Sequence, residues 1–502
     1  SHSRFRKGRE SVAQPVESVT SFTQPYDPSL YNEDLAPVSP EKKTWSWVNF
    51  TTVWMGMVHN IVSYETAASL LGLGMSVSQA IFTVVVANAI LILAMCLNSV
   101  AGAKYGLLFP VLARAAFGHR GAQIPVFFRA FVAIFWFSIQ AYSGSEALST
   151  VLGALIPGWN HLGAHHVIGM GLNMLIAVLA FWLLHAWIVS HGIERVRHFE
   201  LWAGPLVIVL GLGLVGWALS VAHGFGPAFA EPSRLHGAKF WSVFGLTVTG
   251  LIGSWSTLVL NIPDFTRFAR SQKDQVVGQA IGLPGTAILF SFMSIVITSG
   301  TLIAFGKAVI DPVQLIGHFH NPVVQVLGCL ALVVATLSVN VAANLVSPAY
   351  DLVNMFPKRL NFVRAGLIAI VVGFLFAPWA WYDNGGVIFS VLNAIGGGLG
   401  PVAGIMMADF YLVRKRQYEV DAFYTADGGF RYRAGWNPKA LVALGAGLLA
   451  SFIGLLVPSL SELYNYSWFL GLFVGGLCYA MLMTLGEDPV RHEDDWLVGD
   501  IE

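Results

Sequence analysis

Trp136 and Gln140 lie four residues apart in the run FWFSIQAYSG, within a segment otherwise built mostly of apolar side chains. On a helix that spacing places an indole and a primary amide on one face, one turn apart. A flat heterocycle could stack on the ring while the amide pairs with its N–H and C=O edge. A single Trp of this kind is more often a packing or interface anchor. Gln140 shifts the reading, because an amide at mid-span needs a partner. Asn344 offers a second amide. It lies in LGCLALVVATLSVNVAANLVSPAY, residues 327–350, where an apolar run takes in Ser338, Asn340, Asn344 and Ser347 before Pro348. An Asn or Gln side chain presents one acceptor and two donors, complementing the alternating edge of a ureide, a hydantoin or uracil. Asn344 could also simply bridge to a neighbouring helix. Ser338, six residues earlier, occupies a different helix face. A helix touching a cation on one side and an organic solute on the other needs that arrangement.

The elements that must hold these side chains are membrane helices. Hydrophobic residues make up 55% of the 502 and charged residues 11%, whereas soluble domains carry about 25% charge. Apolar stretches long enough to cross a bilayer recur along nearly the whole chain. The fold class is therefore all-α and polytopic. Twelve spans are expected, at about 46–72, 76–103, 123–152, 165–190, 198–222, 239–262, 279–306, 322–346, 362–382, 385–412, 438–460 and 465–485. Residues 1–45 read as a disordered tail with no signal-peptide core, 413–437 as a loop and 486–502 as a C-terminal tail.

Charge sets the orientation. With the N-terminal tail inside, 24 of the 28 Lys and Arg fall on the inner side and only Arg234, Lys239 and Lys307 outside, with Arg129 near the inner end of span 3. That asymmetry predicts a multi-pass protein of the cell inner (plasma) membrane with both termini cytoplasmic. Formal net charge is zero, which argues against a nucleic-acid partner, and nothing points to a protein partner. The bilayer and a small-molecule substrate are the expected partners. Cys96, Cys329 and Cys478 lie in apolar runs without disulfide or metal spacing.

Spans 1 and 6 carry glycine and polar interruptions at matching depth, WMGMVHN (Gly56, His59, Asn60) and TGLIGSWS (two glycines and Trp255). Paired interruptions suggest unwound midpoints, whose freed carbonyls can bind cations and whose half-helix N-termini meet polar ligand edges. Spans five apart then imply a ten-helix core, 46–412, made of two inverted repeats, 46–222 and 239–412, with 438–485 as two peripheral helices. The plainer alternative is that these glycines only let helices pack closely. The run Gly396, Gly397 and Gly398 in span 10 divides evenly between a flexible gate and packing. Glu65 and Glu146, near the outer halves of spans 1 and 3, suit a vestibule or a proton path. Asp264 and Arg267, at the inner end of span 6, suit a tie between helix ends or an inner gate.

WMGMVHN, FWFSIQAYSG, GSWSTLVLNIPDFTRFA, SVNVAANLVSPAYDL and GGGLGPVAGIMMADFYLVRKR together resemble the nucleobase cation symporter family, and within it the allantoin and hydantoin permeases. The similarity runs from about residue 35 to 485. It implies a leucine-transporter-type fold with a 5+5 inverted repeat and alternating access, importing a planar cyclic ureide or nucleobase with a cation. It further implies that Trp136 and Trp255 sandwich the ring, that Gln140 and Asn344 bind its edge, and that Asn60 sits close by. The family's cation site would fall on the backbone carbonyls of Gly56, His59 and Ala335 and the hydroxyl of Ser338, as a sodium site. Sodium-coupled members can carry a threonine directly after that serine, where this chain has Val339. Losing one of about five oxygen ligands weakens a hard-cation site, so proton coupling or weak sodium coupling is expected. His59 is a titratable group beside that site, though many intramembrane histidines are neutral hydrogen-bonded residues.

Three other readings have less support in the sequence. A membrane-embedded enzyme lacks support, since no paired His with Glu and no nucleophile elbow is present, and His165 and His166 fall outside the bilayer core. No cofactor is expected. An ATP-driven pump lacks a phosphate-binding loop. The same fold carrying an amino acid would need backbone for a free carboxylate at the span 1 break, where the bulky VHN run leaves little.

Overall fold

The computed structural model describes residues 26–485 except 192, 231 and 381–387, and side chains except also those of 193–207, 228 and 388–390. It is almost wholly helical. Among the described residues ten helices are long and apolar enough to cross a membrane. Their outward faces carry exposed Leu183, Leu375 and Phe473, while Arg129 and Asp351 are fully buried. Water-soluble folds distribute these side chains the other way round.

The chain enters through α1, Trp47–Val58, and α2, Ile61–Gly72, separated by His59 and Asn60. It continues through α3, Val77–Tyr105, and α4, Phe109–Phe117, into the long α5, Gln123–Leu155. Next come α6, Leu172–Ser190, α7, Ile193–Ala222, and the short α8, Phe225–Ala230. The central part comprises α9, Gly237–Asn261, α10, Pro263–Thr266, α11, Gln272–Phe305, α12, Pro312–Gly317, and α13, Pro322–Val341. A π-turn, Ala342–Val346, joins α13 to α14, Ser347–Met355, and α15, Phe362–Leu375, follows. The last helices are α16, Ile388–Ala408, α17, Pro438–Leu456, and α18, Ser467–Leu485. The core is built by pairs: α1 packs on α11, α5 on α13, and α9 on both α3 and α16, while α17 and α18 pack mainly on one another and on α16.

The break in span 1 is made by Asn60 rather than by glycine. Asn60 is extended (φ −146°, ψ 165°) and its Oδ1 accepts from the Ser63 N–H at 2.9 Å, capping α2. Its Nδ2 donates to the carbonyls of Met57 and Val58, 3.2 Å each, at the end of α1. One amide thus satisfies orphan groups of two helix ends.

Span 6 corrects the expectation of a matching break, because α9 is unbroken through Gly250, Gly253 and Trp255. A Cβ at Gly253 would sit 2.2 Å from the Leu392 carbonyl oxygen of α16, so the glycine serves close packing. Span 8 also departs from expectation, since the helix continues to Met355 instead of stopping near Pro348. Proline lacks an N–H and clashes with the carbonyl one turn back. The widened π-turn just before Pro348 accommodates both, and it carries Asn344.

Residues 26–45, expected as part of a free tail, are packed. Leu35 is fully buried, the Tyr424 hydroxyl donates to its carbonyl at 2.7 Å, and Arg114 donates to the Leu30 carbonyl at 2.9 Å. Residues 1–25 and 486–502 lie outside the described residues.

Candidate functional site

Among the described residues the helix pairs surround a cavity, about 820 Å³ of non-atom space counting the solvent at its mouth. Six stretches far apart in sequence wall it: the α1–α2 break, α3, α5, α9, α11 and the end of α13 with its π-turn. Trp136, Gln140, Trp255, Asn344 and Asn60 all line it. The five side chains singled out for the substrate therefore share one hollow, although Asn60 spends its amide on the two helix ends.

Trp136 and Gln140 come from adjacent turns of α5 and are each more than nine-tenths buried. Neither Trp136 Nε1 nor Gln140 Oε1 has a hydrogen-bond partner among the described residues. An unpaired donor and an unpaired acceptor beside a cavity are costly unless a ligand or water meets them. Trp255, half-buried on α9, presents its indole to the same space, and Trp54 of α1 braces it edge-on at 5.7 Å between ring centroids. The arrangement offers aromatic faces from α5 and α9 together with amide edges from α5 and the π-turn. A planar solute with alternating N–H and C=O groups matches that set.

Asn344 is held from behind. Its Nδ2 donates to Asn340 Oδ1 at 2.9 Å, and Asn340 Nδ2 donates to the Phe137 carbonyl at 3.1 Å and to His185 Nε2 at 3.2 Å. His185 Nδ1–H donates to the Phe181 carbonyl at 2.8 Å. Because a carbonyl only accepts, this contact assigns the His185 tautomer and leaves Nε2 as the acceptor. The chain of contacts runs from cavity to α6 and orients Asn344 so that its Oδ1 and second N–H remain for a ligand. Asn340 stood in the polar run of span 8 without a role, and nothing in sequence marked His185 as its partner.

Gly56, His59, Ala335 and Ser338 do not line this cavity. They lie buried on the last turn and end of α1 and on α13, two helices that pack together. Four carbonyls end α1. Met55 O accepts from His59 Nδ1–H, and Met57 O and Val58 O accept from Asn60. Val339 lines the cavity, and its side chain supplies no oxygen. The His59 ring packs edge-on against Phe290 at 4.8 Å, and its Nε2 is buried without a partner among the described residues.

Gly396 and Gly397 are close approaches, where an added Cβ would lie 3.1 Å from Gly253 Cα and from Ser467 Cβ respectively, whereas Gly398 faces open space. Asp264 Oδ1 accepts from the Phe109 N–H at the start of α4, 2.8 Å away, tying two helix ends. Arg267 stacks between Phe268 and Tyr350. Arg129, three turns before Gln140 on α5, pairs with Asp351 of α14 at 3.1 Å and with Asn261 of α9 at 3.2 Å. A buried ion pair thus ties α5 to α14, and the Arg129–Asn261 hydrogen bond adds α9.

The family model described as permease for cytosine/purines, uracil, thiamine and allantoin matches residues 37–471. An allantoin permease of Bacillus subtilis is 45% identical over 92% of this chain and 96% of its own length. A purine-uracil permease of Arabidopsis thaliana is 36% identical over 91% of this chain and 78% of its own. Among solved structures, the nucleobase-cation-symport-1 family transporter Mhp1, in a closed conformation with bromovinylhydantoin bound, superposes with a TM-score of 0.79 at 24% identity, covering 93% of this chain and 98% of that one. Family model, relatives and fold agree over nearly the full length: this chain is a permease, not an enzyme, and belongs to the cytosine/purine, uracil, thiamine and allantoin permease family.

Proposed function

We propose that this chain imports a planar cyclic ureide or nucleobase, allantoin foremost, together with a cation, by alternating access. The observation that carries the reading is the convergence of Trp136, Gln140, Trp255 and Asn344 on one buried cavity. Indole faces favour a flat ring, and the amides demand N–H and C=O groups on its rim. The 45% identity to an allantoin permease supports the choice of ring.

In this reading twelve spans cross the membrane, α1 with α2 and α7 adding to the ten long helices, and ten of the twelve form two inverted five-helix repeats. Both termini lie on the cytoplasmic side of an inner membrane, a reading the Lys and Arg asymmetry supports. The coupling ion sits between α1 and α13, on the carbonyls of Gly56, His59 and Ala335 and the hydroxyl of Ser338. With Val339 in place of a second hydroxyl, sodium is held weakly or a proton takes its part. Gly398 is the position in α16 with room for a hinge.

Uptake of radiolabelled allantoin and uracil into proteoliposomes, with sodium or pH gradients imposed separately, tests this. Saturable uptake stimulated by one gradient and lost on Gln140→Leu is expected. No saturable uptake of any ureide or nucleobase under either gradient would refute it.

A further inference from the structure

Asn88 of α3 lines the cavity and is 7% exposed. Its Nδ2 donates to the Val84 carbonyl one turn back at 2.9 Å. Since that carbonyl only accepts, the contact assigns the amide orientation. Asn88 Oδ1 is then left buried with no donor among the described residues. An apolar side chain of similar shape would avoid that cost, so an acceptor kept here implies a donor arriving from the cavity. The residue stands apart from the other amides. Gln140 and Asn344 belong to the wall where α5 packs on α13, whereas α3 packs on α9 and α11. The cavity therefore has two amide poles on different walls, with the indoles of Trp136 and Trp255 also lining it.

Resting on the function proposed above, we infer that Asn88 is a substrate-selecting residue whose Oδ1 accepts from an N–H carried outside the ring edge held by Gln140 and Asn344. A hydantoin or uracil ring whose two N–H groups are both met by the acceptors of Gln140 and Asn344 has no further donor for the second pole. A cyclic ureide with a ureido side arm, as in allantoin, adds an exocyclic N–H and NH₂. The site thus selects rings bearing a donor arm over bare rings.

The test measures binding of allantoin, hydantoin and uracil to the purified full-length protein by tryptophan fluorescence, for the wild type, Asn88→Leu and Asn88→Ala. The wild type should bind allantoin more tightly than either bare ring. Both variants should lose about tenfold in allantoin affinity, the worth of one buried hydrogen bond, and change less than about twofold for hydantoin. Equal weakening for allantoin and hydantoin, or no change for either, overturns the inference alone. Should neither variant fold, the wild-type ranking still decides, because hydantoin or uracil binding as tightly as allantoin also overturns it. A wild type that binds none of the three refutes the functional reading itself, and the inference with it.

Discussion

Replacing Asn340 with leucine should weaken substrate binding even though Asn340 does not line the cavity. Leucine keeps the volume but removes the acceptor that holds Asn344 Nδ2 at 2.9 Å and the donor to His185 Nε2 at 3.2 Å. Two costs follow. The His185 nitrogen and the Asn344 amide lose buried partners, at about 1–3 kcal/mol for each group left unsatisfied, which lowers the melting temperature. Asn344 also regains rotational freedom that a ligand must then remove, about 0.5–1.5 kcal/mol for one side chain, equivalent to roughly a two- to tenfold weaker Kd. The assay is a double-mutant cycle of allantoin affinity over wild type, Asn340→Leu, Asn344→Ala and the double variant. If Asn340 acts through Asn344, adding Asn340→Leu to Asn344→Ala should change the Kd by less than about twofold. A full second loss in that background would refute the orienting role, whatever happens to stability. His185→Phe should give a smaller effect of the same kind, because Asn340 keeps its bond to the Phe137 carbonyl.

Asn60→Ala removes the cap of α2 and the donor for two carbonyls of α1, and should cost about 2 kcal/mol in thermal stability. Asn60→Asp, which keeps only the cap acceptor, should fall between. Arg129→Ala leaves Asp351 buried and unpaired and should cost about 3–5 kcal/mol. Replacing the pair together, as Arg129→Met with Asp351→Leu, should recover most of the melting temperature, and a double variant no better than the single would argue against the pairing. Ser338→Ala should change cation dependence more than substrate preference, while Val339→Thr should strengthen sodium stimulation of uptake. Identical transport at every sodium concentration and pH in both variants would remove α13 from the cation site.

The span positions were legible because a bilayer imposes length and composition on each helix independently of its neighbours. Expected bounds of 239–262 meet α9 at Gly237–Asn261, and 438–460 meet α17 at Pro438–Leu456. Trp136, Gln140 and Asn344 were legible for a related reason, since a polar or wide aromatic group inside an apolar run must be explained by something. Glycine was less informative. Gly250 and Gly253 carry the same pattern whether a helix unwinds or is closely approached, and only the Leu392 carbonyl beside Gly253 decides. Asn60 and Asn88 show the same ambiguity for amides: one is consumed by helix ends and the other keeps a bare acceptor, a difference set by neighbours distant in the chain.

Sequence by itself determined that the chain is a bundle of membrane helices with a handful of amides and indoles inside apolar runs, because burial in hydrocarbon constrains each segment locally. Tertiary structure decided which of those groups meet in the cavity, which are spent as caps or relays, and where the backbone departs from a plain helix. Those outcomes depend on contacts between residues 200 or more positions apart, such as Phe137 and Asn340, and no local spacing encodes them.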